Sequence, residues 1–277
     1  MVKRAVIIAS GGPRWGRGHQ VRCGVLAEKL VEKGYDAHVR CMDEMLPDNL
    51  CENADLIVDA YEQVSTYSAM RSYFKPLSLT AITDVPQDVT GADLVIAPSA
   101  AGGSIDLPFT VEGDTKKVLL ARGLRYAMIR PALLKAKDIA PRERFRNITD
   151  LRTINGLAPS TIGSMLATSK LAIAPGGMRA LESIALGCPT LIAYDNGSVG
   201  EMLNARALAA SGLAEPYDPR LGSVDSHAEV LLGNEVRLGE LASRCRGAID
   251  GRGAERAANA IASLRNPMSM RWLWSGD

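Results

Sequence analysis

Residues 6–30 read VIIASGGPRWGRGHQVRCGVLAEKL, an apolar run that opens through a loop of glycines and arginines into a helical pattern. Val6, Ile7 and Ile8 are continuous and β-branched, as in a strand buried on both faces. Val21, Val25, Leu26 and Leu30 then recur at helical spacing, and Gly34 ends the pattern. A buried strand, a glycine-rich turn and a helix together open a parallel α/β layer structure. At the hinge between them stands His19, one of three histidines in the chain.

Outward from this stretch the same grammar repeats. DAHVRCM (36–42), ADLIVDAY (54–61), LSLTAITD (77–84), DLVIAPS (93–99) and KKVLLAR (116–122) read as strands separated by helical or long connections. Residues 1–130 are therefore expected to form one Rossmann-like domain. Residues 131–150 turn polar and basic around Pro131 and Pro141 and read as a crossover linker. Over 151–277 alternation resumes: strand LRTING (151–156), helix STIGSMLATS (160–169), strand KLAIAP (170–175), helix GGMRALESIALG (176–187), strand PTLIAYD (189–195), helix SVGEMLNARALAASG (198–212) and strand LAEPY (213–217). Two closing helices follow, split at Asp250-Gly251-Arg252-Gly253. This second domain has the same grammar and fewer strands.

The composition suits that architecture. The chain has 277 residues, 47% hydrophobic and 23% charged, with aliphatic residues far outnumbering aromatics. Lys and Arg (32) nearly balance Asp and Glu (31), so the net charge of +1 sets up no overall field to recruit a polyanion. The five cysteines lie far apart, with no zinc spacing, and read as reduced thiols of a cytoplasmic protein. No apolar run approaches the ~20 residues of a membrane span, and the N-terminal run is too short for a signal-peptide core. The oligomeric state is not legible.

In an open α/β sheet, ligands gather at the carboxyl ends of the strands, where loops feed helix N-termini. Gly16, Arg17, Gly18 and Arg22 surround His19 at such a point, and two readings of the histidine stand side by side. It is either an imidazole aimed into a crevice as a general base, or a capping residue in a solvated loop. The G-x-G-x-x-G dinucleotide fingerprint and the G-x-x-x-x-G-K-[ST] phosphate loop are both absent. A second site lies at Gly176, Gly177 and Met178, whose backbone donors open a helix suited to a diphosphate, with Glu182 placed for ribose hydroxyls. A tight turn with a helix acid is its plainer reading. Asp59 and Tyr61 end one strand, and Thr83 and Asp84 another; each is a residue for orienting a sugar or a water, or an ordinary turn residue. Met268, Met270, Trp272 and Trp274 in the last segment are expected to pack back on the first domain, or else to dock on a partner.

Several of these pieces occur together in one family. GRGHQVRCGVLAEKL (16–30) resembles the first motif of the PseG family, the nucleotide-sugar hydrolases of pseudaminic acid biosynthesis, which are related to MurG-type glycosyltransferases of the GT-B fold. VDAYE (58–62), ITDVPQDVTGADLVIAP (82–98), LRYAMIRPAL (124–133), SKLAIAPGGMRALESIALGCPTLIAYDN (169–196) and AIDGRGAERAANAI (248–261) are similar to later segments, in the same order. The resemblance implies two Rossmann-like domains facing across a cleft. Nucleotide would be held by the second and the sugar by the first, with no metal and no cofactor beyond the nucleotide-sugar substrate. It implies His19 as the base for water, Tyr61 in the sugar pocket, and Gly176, Gly177 and Glu182 at the diphosphate and ribose.

The departures fall in telling places. No strand and glycine-rich loop are read between Pro131 and Leu151, where the family begins its second domain, so that domain is expected to be shortened. The family's Asp-His-Tyr-Gly stands here as Asp59-Ala60-Tyr61-Glu62, and its Glu-Asn-Gln as Asp195-Asn196-Gly197. Hydrolysis of a UDP-linked amino-deoxy sugar is the leading expectation. Transfer to a sugar, metabolite or modified nucleobase is the alternative, and a non-catalytic nucleotide-sugar-binding relative the third.

Overall fold

The structure, a computed structural model, describes residues 2–11, 18–42, 44, 49–60, 67–85, 87–104, 119–137, 146–154, 156–193 and 199–265. Its elements in chain order begin with β1 (Lys3–Ala9), α1 (Gly18–Glu32), β2 (Tyr35–Cys41), β3 (Ala54–Asp59), α2 (Tyr67–Phe74), β4 (Ser78–Ile82), β5 (Leu94–Ala97), α3 (Ala100–Ser104), β6 (Leu119–Arg122) and α4 (Pro131–Leu134). They continue with β7 (Arg146–Asp150), α5 (Pro159–Thr168), β8 (Ser169–Ala174), α6 (Met178–Ala185), β9 (Thr190–Ile192), α7 (Val199–Ala210), β10 (Glu215–Pro216), α8 (Val224–Leu232), α9 (Glu235–Cys245) and α10 (Gly253–Ser263). Contacts divide the chain into two compact units. Unit 1 comprises Met1–Pro98, Ile105–Met128 and Gly253–Asp277; unit 2 comprises Ser99–Ser104 and Ile129–Arg252.

Unit 1 is built on a parallel six-stranded sheet in the order β2-β1-β3-β4-β5-β6. Every residue of β3 and β4 is buried, which explains why these strands read as continuous apolar runs rather than alternating ones. Alternate side chains feed two cores. Ile7, Ile57 and Ile96 pack with Leu26 and Leu30 of α1 and Ala257 and Ile261 of α10. Ile8, Leu56, Val58 and Leu79 pack on the other face with Tyr67, Met70 and Phe74 of α2. Sequence order attaches α10 to the second half of the chain, but its packing is in unit 1. A Cβ on Gly253 would lie 2.1 Å from the Ala127 carbonyl oxygen, so only glycine lets α10 start against that turn. β1 pairs with β2 on one side and β3 on the other, with Ala9 level with both Cys41 and Asp59. The winding therefore reverses at β1, and the carboxyl ends of β1 and β3 flank a topological switch point.

Unit 2 carries a parallel four-stranded sheet in the order β10-β9-β8-β7. Here spatial order follows chain order without a reversal among the described strands. Leu171, Ile173 and Leu191 pack with Ala228, Leu231 and Leu238 of α8 and α9.

Two sequence readings are corrected here. The first strand of this sheet is β7 in RNITD, inside the stretch read as strandless linker, while Leu151–Thr153 form a turn in place of the expected LRTING strand. Among the described strands β7 is an edge strand paired with β8, so it needs little apolar content and gives a weak signal. Among the described residues the C-terminal region holds three helices rather than two. The Asn234 side chain accepts from the Arg237 N–H at 3.0 Å and caps α9, dividing what reads as one helix.

Candidate functional site

In unit 1 the first two turns of α1 deliver His19, Arg22 and Cys23 to one helix face, the latter two three and four residues after the first. That face meets Asp59, the last residue of β3, and Asp84, in the turn after β4. The Thr83 hydroxyl shapes this turn, donating to the Val85 carbonyl at 2.9 Å and accepting from the Val85 N–H at 3.1 Å. His19 Nδ1 lies 2.7 Å from Asp59 Oδ1. Arg22 grips the same carboxylate with Nε and Nη2, each at 2.5 Å, and reaches Asp84 Oδ2 with Nη1. The Cys23 thiol donates to Asp59 Oδ2 at 3.4 Å.

All five groups are buried. Burial pushes the Asp59 carboxyl up, but Arg22 and His19, by charge and by hydrogen bond, outweigh it and hold the carboxyl well below the usual carboxylate range. Burial and then the Asp59 charge push the Cys23 thiol up, leaving it an inert donor. The Tyr67 phenol, which accepts from Gln87 Nε2 at 2.9 Å, is pushed up by the same two causes. An ionised Asp59 only accepts, so the His19 Nδ1 facing it carries the proton and the lone pair is on Nε2. Arg22 Nη2, 3.3 Å from Nδ1, is then a neighbouring charge rather than its donor. With neutral His19 the two aspartates and one arginine sum to a single negative charge, which a proton on the imidazole cancels. Asp84 Oδ1 is buried and finds no hydrogen-bond partner among the described residues. This arrangement can hold an imidazole as a base and stabilise the imidazolium it becomes.

In unit 2, β8 ends at Ala174 and the turn of Gly176 and Gly177 starts α6 at Met178. Gly177 is the N-cap and supplies no side-chain acceptor, while the first turn of a helix has N–H groups without intrahelical partners. The glycines also permit a close approach. A Cβ on Gly176 would sit 2.3 Å from the Glu201 carbonyl oxygen, and one on Gly177 would sit 2.5 Å from Glu201 Oε1. Asn204 of α7 ties the turn down, donating to the Gly176 carbonyl at 2.5 Å and accepting from the Ala100 N–H at 2.9 Å. Glu182 is buried and held bidentately by Arg130, at 2.6 and 2.8 Å, with Arg179 Nη1 3.9 Å away.

Of the residues singled out from sequence, the structure brings His19, Arg22, Asp59 and Asp84 together, with Gly18 opening the same helix. It sets Gly176, Gly177, Met178 and Glu182 on one turn and helix. Gly16, Arg17, Tyr61 and Asn196 lie outside the described residues, as do Met268, Met270, Trp272 and Trp274. Sequence reasoning missed Arg130, Arg179, Asn204 and Cys23. Cys23 and Arg179 were within reach, one four residues from His19 and the other three from Glu182 on a helix. Among the described residues, no helix is long and apolar enough to cross a membrane.

No family model matches the chain, and no curated protein sequence matches it. Solved structures do. The chain is similar to CalG4, the calicheamicin glycosyltransferase, at 13% identity and TM-score 0.57, over 97% of this chain and 100% of that one. It is similar to MurG from Acinetobacter baumannii at 12% identity and TM-score 0.56, over 94% and 99%. A Listeria monocytogenes protein assigned as a UDP-N-acetylglucosamine 2-epimerase matches at 12% identity and TM-score 0.57, over 95% and 97%. At these identities the likeness is one of fold, the two-sheet parallel α/β architecture of GT-B glycosyltransferases.

Proposed function

We propose that this chain is an enzyme of glycosyl transfer that takes a nucleotide sugar, with His19 Nε2 as the base that deprotonates the attacking oxygen. The observation that carries the reading is the pairing of His19 Nδ1 with the ionised Asp59 at 2.7 Å, at the switch point of the six-stranded sheet. Asp59 orients the ring and gains a charge partner when Nε2 takes the proton. Arg22 holds Asp59 and Asp84 in place, and the buried Asp84 Oδ1 offers an acceptor to a sugar hydroxyl. In unit 2 the N–H groups at Gly177 and Met178 take the diphosphate, aided by the Arg179 charge in the same turn. Glu182, buried against Arg130, fixes that charge. No metal is needed for this scheme.

The attacking oxygen is water in the leading reading, which the resemblance of GRGHQVRCGVLAEKL to PseG hydrolases supports, with a UDP-linked amino-deoxy sugar as donor. Transfer to a sugar, metabolite or modified nucleobase is the second reading. The named glycosyltransferases among the structural neighbours favour it, as do the changed residues at 60, 62, 195 and 197. Incubating the protein with a panel of nucleotide sugars, with and without acceptors, and following nucleoside diphosphate release separates the two. Release in buffer alone supports hydrolysis, and release that requires an acceptor supports transfer. Either activity should fall by about 10²–10⁴ in His19→Ala. Nucleotide binding without release would mark a non-catalytic relative, and neither binding nor release would overturn the reading.

A further inference from the structure

Among the described strands β2 is an edge of the six-stranded sheet and pairs with β1. Its side chains alternate between faces. Tyr35 and Ala37 pack into the core beneath α1, while Asp36, His38 and Arg40 lie on the opposite face with side chains 50%, 53% and 50% exposed. The backbone alternates too. The Met42 N–H donates to the Ala9 carbonyl at 2.9 Å, so the even-numbered residues of this strand face β1. Ala37 and Val39 therefore turn their N–H and C=O groups outward, away from the sheet.

We propose that β2 pairs with β2 of a second copy of this chain, antiparallel about a two-fold axis through His38, so that two six-stranded sheets become one. Three features of the strand agree on this register. Ala37 falls opposite Val39 of the second copy as a hydrogen-bonded pair, because both direct their polar groups outward. Asp36 falls opposite Arg40 of the second copy, and the axis makes that ion pair twice. The apolar pair of Ala37 and Val39 and the charged pair of Asp36 and Arg40 lie on opposite faces, as the pleat requires. Moving the axis to Val39 sets His38 against Arg40; moving it to Ala37 leaves Arg40 opposite Gly34. Charges on an edge strand ordinarily deter pairing. Here their signs are complementary under the two-fold axis, so they select one register instead.

The contact amounts to one strand against another, well short of a standard interface of about 1,200–2,000 Å². The dimer is accordingly weak and concentration-dependent. Within one copy Asp36 meets His38 at 2.9 Å and Arg40 meets Glu44 at 4.0 Å, both on the surface, so charge changes here leave the fold intact.

Sedimentation velocity of the full chain, from low to high micromolar, tests the proposal. The wild type should shift from monomer toward dimer as concentration rises. Asp36→Arg and Arg40→Asp each set like charges opposite one another twice, and each should raise the dimer dissociation constant roughly tenfold or more. Combining the two restores complementarity and should return dimerisation to near the wild-type level, with circular dichroism unchanged throughout. A chain that stays monomeric at every concentration overturns the proposal. So does a dimer that the single variants do not weaken, or that the double variant does not restore, since the copies then meet elsewhere.

Discussion

The two units end their strands in similar turns, yet they treat a buried carboxylate in opposite ways. In unit 1 the winding reverses at β1, and Asp59 lies at the switch point flanked by the carboxyl ends of β1 and β3. Its partners come from α1, and one of them, His19, can exchange a proton. In unit 2 the described strands follow chain order, and Glu182 is closed off by the guanidinium groups of Arg130 and Arg179. A switch point opens a crevice that residues from several strands can enter, whereas sequential winding does not. One carboxylate thereby faces an imidazole, the other two guanidinium groups at a helix start.

Asp59→Asn breaks the comparison most severely. It removes the charge that faces Arg22 and His19, and it allows the imidazole to take the wrong tautomer. Turnover should fall by about 10²–10⁴. Stability should fall by about 3–5 kcal/mol, because a buried guanidinium is left with Asp84 as its remaining carboxylate. The wild type's acid sensitivity should change with it. The folded Asp59 pKa is depressed, so the stability it confers is complete above the ordinary carboxylate value near 4 and drains as pH falls below it. Urea titrations from pH 7 to pH 3 should show that decline in the wild type and a flatter one in Asp59→Asn. Equal slopes would mean that Asp59 is not the linked group.

Much of unit 1 was legible because its signals are local. β1, β3 and β5 are apolar runs, and His19, Arg22 and Cys23 share a helix face by spacing alone. That the face meets Asp59, forty residues on, depends on β3 lying beside β1, and strand order is not written in any single segment. β7 escaped notice because an edge strand with the sequence RNITD carries one aliphatic residue, Ile148. The Arg130–Glu182 pair escaped for the same reason as Asp59: its partners are fifty-two residues apart.

Arg130→Met sharpens the contrast at a smaller cost. It leaves the buried Glu182 carboxylate with only the more distant Arg179, and stability should drop by about 3 kcal/mol in chemical denaturation. Unlike Asp59→Asn, it should leave the rate of the bond-breaking step in single-turnover experiments within a few fold of wild type, because no proton passes through this pair. A loss of the chemical step comparable to that of Asp59→Asn would place Glu182 and Arg130 in the reaction itself.

The glycine turn gives the finest test, because two adjacent positions meet the same residue in different ways. A methyl at Gly176 collides with the Glu201 backbone carbonyl at 2.3 Å and with the Ala205 methyl at 2.8 Å, and neither can retreat without moving α7. At Gly177 the nearest atom, at 2.5 Å, is Glu201 Oε1, the end of a flexible side chain that can swing aside. Gly176→Ala should therefore cost about 2 kcal/mol, and Gly177→Ala under about 1 kcal/mol, as read from thermal and urea midpoints. Neither glycine has a positive φ, so the left-handed penalty does not enter the difference between the two. If the turn also takes the diphosphate, Gly177→Ala should weaken nucleotide binding in calorimetry more than its small stability cost suggests. A Gly177→Ala variant with wild-type nucleotide affinity would reduce the glycine pair to its packing role.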